Sequence, residues 1–226
     1  MSSRPRQLAL ALVHAESYAR EEFLSGPCNE TALQLIDCWP DWPANAVALV
    51  GPEGSGKTHL AMIWAAAAGA RIASARALGE NELRSALATG ALVLEDAAAM
   101  GNDRLLFHLL NLAREERASL LLTARVPPAS WPVGIPDLAS RLRALPRATL
   151  TAPDDAMLRA VIVKLATDRQ LMLDEAVVGY LSTHIERSFA AARAAVVALD
   201  NEALRQRRPP TRALAAELFR GGVPSA

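Results

Sequence analysis

The sequence predicts an α/β fold, a five-stranded parallel sheet with helices, followed by a small C-terminal α-helical lid. Three observations carry that prediction. The apolar run Ala46–Val50 leads through Gly51-Pro52-Glu53-Gly54-Ser55-Gly56-Lys57-Thr58 into a helical pattern from His59, the order strand, phosphate loop, helix. Four more short strand patterns, at 70–74, 91–96, 119–123 and 147–151, are separated by helical ones. Beyond Pro153 the pattern is wholly helical. The boundaries that follow are a tail at 1–20, an α/β nucleotide-binding core at 21–151 and a helical lid at 152–226.

The loop carries the sharpest chemistry. Glycines at 51, 54 and 56 allow the tight turn that points successive N–H groups at a phosphate, and the helix N-terminus adds its positive end. Lys57 reaches the β- and γ-phosphates in such loops, and Thr58 offers its hydroxyl to Mg²⁺. The expected nucleotide-binding set is therefore Gly51, Pro52, Glu53, Gly54, Ser55, Gly56, Lys57, Thr58 and His59, with ADP or ATP and Mg²⁺ as cofactors. A glycine-rich strand-to-helix turn is the plainer alternative.

Bulk properties bound the function. The chain has 226 residues, 51% of them hydrophobic but only 4% aromatic, which favours helices packed closely against a small sheet. Formal net charge is zero, so duplex DNA is not gripped unaided and any contact with it is local or runs through another protein. Cys28 and Cys38 match neither a redox pair nor a zinc site, and a reducing cytoplasm suits them. His14, His59, His108 and His184 lack metal-ligand spacing. Arg4 and Arg6 before the apolar 8–13 resemble a signal peptide only superficially, because the run is short and meets His14 and Glu16. No apolar segment is long enough to span a membrane.

In chain order, residues 1–6 are polar and proline-interrupted, and Gln7-Leu8-Ala9-Leu10-Ala11-Leu12 can project from them as an extended peptide. Its Gln7 amide, with Leu8, Leu10 and Leu12 for an apolar pocket, is similar to the short peptide by which many bacterial proteins dock on the replicative sliding clamp. An edge strand or a helix start would also fit. Gly26-Pro27 breaks the chain, Asn29 is expected to cap a helix through Ile36, and Trp39 to Pro43 ends it. Trp39 and Trp42 cover a sheet edge or line an adenine pocket.

The strand 91–96 ends in Glu95 and Asp96, where a P-loop ATPase places the acids that hold Mg²⁺ and polarise the attacking water. Thr123, tipping the next strand, is expected beside them, within reach of the γ-phosphate or the water. The short helix from Pro136 carries Arg141 and Arg143, one of which can neutralise the γ-phosphate of a neighbouring subunit; a structural salt bridge explains either equally well. In the lid, Asp154, Asp174, Ser188 and Thr211 open successive helices, and Arg193 lies on the third, placed to reach back to the phosphates.

With these pieces in order, the chain resembles the AAA+ ATPases and, within them, the DnaA-related regulatory proteins of the Hda family. The resemblance runs from Gln7 to Phe219. Phe23, Gly26 and Asn29 match the segment ahead of the ATPase core, Gly51 to Thr58 the Walker A loop, Glu95 and Asp96 the Walker B acids with Glu95 at the Mg²⁺ position, and Thr123 sensor I. Arg141, in Ser-Arg-Leu, stands at the arginine finger of box VII, and Arg193 at sensor II. The chain stops after the lid, where the initiator would continue into a helix-turn-helix domain, and carries the clamp-binding peptide in its place. The acids depart from the usual Asp-Glu or Asp-Asp order.

The resemblance implies a bacterial, cytoplasmic, replisome-associated protein with weak turnover of its own. It would dock on the sliding clamp, the β subunit of the DNA polymerase, through Gln7 to Leu12, and reach DNA only through that clamp. Arg141 would then drive hydrolysis of ATP on the initiator DnaA and so prevent re-initiation; self-association is a further possibility. Two rivals remain: a self-hydrolysing remodeller such as a helicase loader, and a non-catalytic clamp-bound adaptor.

Overall fold

The computed structural model describes residues 19–220, so the peptide Gln7 to Leu12 lies outside the described residues. The described residues fall into two compact units that meet between Asp154 and Asp155.

The first unit holds β1 (Ala46–Val50), β2 (Arg71–Ser74), β3 (Ala91–Glu95), β4 (Ser119–Ala124) and β5 (Arg147–Thr149). They form one parallel sheet in the order β2-β3-β4-β1-β5. The three central strands are almost wholly apolar because both their faces are covered. Side chains alternate between the two faces with the strand period of two. Ala46, Ala48 and Val50 share one cluster with Leu92, Leu94, Leu120 and Leu122, while Val47 and Leu49 join Val93 and Leu121 on the other face. The outer strands carry Arg71 and Arg147, exposed residues that suit an edge.

Helices α1 (Glu30–Asp37) and α2 (Lys57–Ala68) cover one face; α3 (Leu83–Leu87), α4 (Asp103–Glu115) and α5 (Pro136–Ala144) cover the other. The helix predicted from Glu80 to Ala88 divides into a 3-10 turn, Glu80–Glu82, and the short α3. Strand β5 is shorter than predicted: Leu150 still bonds to Val50 O, but Thr151 N–H turns to Cys28 O.

Asn29 does not cap α1 with its side chain. It is buried, and its Oδ1 accepts from Gly26 N–H at 2.9 Å while its Nδ2 donates to Leu24 O at 3.0 Å. The amide thus staples the turn before the helix, because two loop groups inside the fold need partners more than a helix end open to water does.

Trp39 and Trp42 are half-buried and pack against the core. Trp42 stacks on Trp64 of α2 with centroids 4.9 Å apart, and Trp39 meets Trp64 edge-on at 6.3 Å. Trp39 Nε1 donates to Ser119 Oγ at 3.2 Å, at the start of β4. That is the end of the sheet opposite the phosphate loop, so the adenine-pocket alternative does not hold.

The second unit contains α6 (Asp155–Asp168), α7 (Glu175–His184), α8 (Phe189–Gln206) and α9 (Arg212–Leu218) around its own core of Leu158, Ile162, Val177, Leu181, Val196 and Leu199. Asp174, Ser188 and Thr211 each accept a backbone N–H three residues on, at 2.8, 3.1 and 3.4 Å. Among the described residues no helix is long and apolar enough to cross a membrane.

Candidate functional site

Because β4 lies between β1 and β3 and all three run parallel, their C-terminal tips share one edge of the sheet. That edge gathers the phosphate loop, the acids and the polar strand tip, as expected of open α/β sheets, whose ligands sit beyond the carboxyl ends of the strands.

The loop joins β1 to α2. A Cβ on Gly51 would lie 2.5 Å from Leu150 O and 2.9 Å from Ser55 Oγ, so only glycine lets the loop pass the end of β5. Gly54 and Gly56 hold φ of 70° and 94°, in the left-handed region that side chains disfavour by roughly 1–2 kcal/mol. Gly51 N–H donates to Ala124 O at 3.1 Å, zipping the start of the loop to the tip of β4.

Lys57 opens α2, two residues earlier than the helix was expected, and is buried. Its Nζ donates to Gly51 O at 2.8 Å and to Pro52 O at 2.7 Å. An ammonium has three donors, so one is left to aim outward. Burial lowers the Lys57 pKa; Asp96 opposes that effect, Arg125 adds to it, and Glu53 and Glu95 oppose it further.

On β3, Glu95 is half-buried and Asp96 exposed. Asp96 turns out of the strand with φ of 52°, its carbonyl accepting from Ala99 N–H at 2.7 Å. Its own N–H donates to Thr123 Oγ1 at 3.0 Å. The buried Thr123 therefore fixes the backbone of the acid, and its hydroxyl hydrogen remains to be given elsewhere.

Nucleotide with Mg²⁺ fits these residues. Ser55 is 2% exposed and its Oγ has no hydrogen-bond partner among the described residues, an orphan of the kind a bound group satisfies. The glycine conformations shape a nest of N–H groups at the start of a 12-residue helix. Thr58 and Glu95 carry oxygens that could serve as ligands, and Mg²⁺ in such sites takes one or two carboxylates plus phosphate oxygens and water. His59 lies on the first turn of α2, edge-on to Phe23 at 5.2 Å, which seats the segment ahead of the core beside the loop.

Arg141 and Arg143 differ. Arg141 is half-buried: its Nη1 donates to Asn111 Oδ1 at 2.5 Å and its Cζ lies 4.8 Å over the Phe107 ring, both partners being on α4. Arg143 is exposed. Arg193 is on α8 in the second unit, half-buried, and burial pulls its pKa below the ordinary value.

One charged contact at this edge was not legible in the sequence. Arg125, just past β4, places Nη1 2.8 Å from Glu53 Oε2 in the phosphate loop. The signal exists only once β4 is known to neighbour β1, because the two residues are distant along the chain.

No family model matches the chain. An ATP-binding protein of Sinorhizobium fredii, provisionally assigned to an insertion sequence, is 35% identical over 137 residues, covering 51% of this chain and 45% of that protein, so the chain spans less than half of its length. Domain III of the replication initiation protein DnaA from Thermotoga maritima is similar in structure, with TM-score 0.74 and 19% identity over 92% of this chain and 98% of that one. AMPPCP-bound DnaA from Aquifex aeolicus gives 0.67 at 20% identity, over 83% and 66% of the two chains. The RuvB Holliday junction branch migration motor of Thermotoga maritima gives 0.71 at 17%, over 90% and 72%. The sheet order, the phosphate loop after β1 and these likenesses together mean that the chain has the AAA+ P-loop ATPase fold, as DnaA and RuvB do.

Proposed function

We propose that this chain is a DnaA-related regulator that binds ADP or ATP with Mg²⁺ through Gly51 to Thr58, docks on the sliding clamp through Gln7, Leu8, Leu10 and Leu12, and stimulates hydrolysis of ATP held by the initiator. The observation that carries the reading is the convergence of Lys57, the Glu95–Asp96 pair and Thr123 at one sheet edge, in a fold that spans nearly all of DnaA domain III. Bound Mg²⁺-nucleotide supplies the charge that ties loop and acids together. Lys57 presents its remaining N–H to a phosphate, Thr58 and Glu95 hold the metal, and Thr123 keeps Asp96 in place. Glu95 and Asp96, in an order that puts the longer acid first, favour holding nucleotide over turning it over.

In this reading Arg141 serves the partner's triphosphate. Its half-exposed guanidinium is oriented by Asn111 and Phe107, which limits the rotamers it must give up on meeting a phosphate. The test is a reconstitution of DNA-loaded clamp, ATP-loaded initiator and this chain. Arg141→Ala should keep nucleotide binding and lower stimulated hydrolysis by about 10³-fold or more, and Gln7→Ala should abolish the dependence on clamp. Full stimulation by Arg141→Ala together with loss in Arg143→Ala would move the finger to the exposed arginine. Full stimulation by both variants would refute the mechanism.

The insertion-sequence relative favours a second reading, an ATPase that remodels a nucleic-acid assembly by its own hydrolysis. Steady turnover by the isolated chain, lost in Lys57→Ala, would select it.

A further inference from the structure

We propose that Arg125 is a phosphate contact for the bound nucleotide, presented at the phosphate loop by Glu53, which competes with the nucleotide for the same guanidinium. The inference rests on the nucleotide-binding reading of the loop given above and adds to it a residue pair that tunes affinity.

The placement follows from the sheet. Val50 is in register with Ala124, and Gly51 N–H is bonded to Ala124 O, so the residues that follow each of them leave the sheet side by side. One path carries Glu53, the other Arg125, and their side chains meet at 2.8 Å. Both are mostly exposed, at 75% and 62% for the two side chains, so the pair is free to rearrange. Exposed ion pairs of this kind hold little, typically 0–1 kcal/mol.

The contact to Glu53 holds the guanidinium on the loop that also carries Lys57. Arg125 and Glu53 both act on Lys57, with opposite signs. A phosphate seated at the start of α2 therefore meets two cations, and one anion that belongs to the loop itself. A guanidinium takes a phosphate in the same forked geometry as a carboxylate. Moving Arg125 from Glu53 to a phosphate thus loses a weak exposed contact, gains one to a more highly charged group, and leaves the Glu53 carboxylate repelling the nucleotide. Glu53 sets how much of the gain survives.

The test uses the whole 226-residue chain and fluorescent ADP and ATP analogues, with Lys57→Ala as the floor. Arg125→Ala should weaken binding by about tenfold, in line with a lost charge-assisted hydrogen bond, and Arg125→Lys should fall between it and the unaltered protein. Glu53→Gln should tighten binding severalfold, and the double variant Glu53→Gln/Arg125→Ala should recover part of the Arg125→Ala loss. All of these differences should shrink at high salt, with thermal unfolding midpoints unchanged, which separates a ligand contact from a structural one. Unaltered affinity in Arg125→Ala would overturn the proposal while leaving the nucleotide site standing. Weaker binding by Glu53→Gln would overturn the competition. Failure of the unaltered chain to bind either analogue would remove the nucleotide reading itself and this inference with it.

Discussion

At the scale of single residues, burial has two opposite consequences for Lys57. Its pKa is lowered chiefly by desolvation, so the folded protein disfavours the charged form. As pH rises through the folded pKa toward the ordinary 10.5, this penalty disappears and the residue's own contribution to stability rises, the unfolded chain still binding the proton the folded one has lost. Phosphate binding needs that proton. Nucleotide affinity should therefore decline with rising pH from below 10.5, and a titration of analogue affinity against pH would reveal it. Asn29 gives a second prediction. Asn29→Ala leaves Gly26 N–H and Leu24 O unpaired, and should cost about 1–3 kcal/mol in urea unfolding. Its role was misread from sequence for a physical reason: an Asn before a helix is equally able to bond forward to the helix or backward to the loop, and only the path of the loop decides. The loop between β1 and α2 was legible because its glycines recur at the spacing a tight strand-to-helix turn needs. Arg125 was not, since its partner is set by strand order.

At the scale of elements, the helical unit was the easiest to read. Asp174, Ser188 and Thr211 are each followed by an uninterrupted helical pattern, and each cap bond is present. Ser188→Ala should cost α8 about 1 kcal/mol, measurable as a shift in the denaturation midpoint of helical circular dichroism. The loop between β1 and α2 is less forgiving. Gly51→Ala puts a methyl against the backbone oxygen of Leu150, which no rotamer can relieve. We expect that variant to lose nucleotide binding while the distant α4 and α5 stay folded, as two-dimensional amide spectra would report. Strand β5 was overestimated from sequence because an apolar residue continues past its end: Leu150 is buried after the strand stops, so burial and strand pairing part company there. The helix of α3 was overestimated at its start, where Glu80 to Glu82 form a 3-10 turn instead.

At the scale of the whole molecule, the parallel sheet was legible because its central strands are apolar on both faces, whereas the order β2-β3-β4-β1-β5 has no signature in any one strand. That order has a mechanical outcome. The last two residues of β4 grip both neighbours, Ala124 O taking Gly51 N–H and Thr123 Oγ1 taking Asp96 N–H. Thr123→Val should therefore speed hydrogen exchange at the Asp96 amide and leave that of Gly51 slow. With both ties intact, β4 works as a splint that fixes the spacing between the acids on one side and the first glycine of the loop on the other.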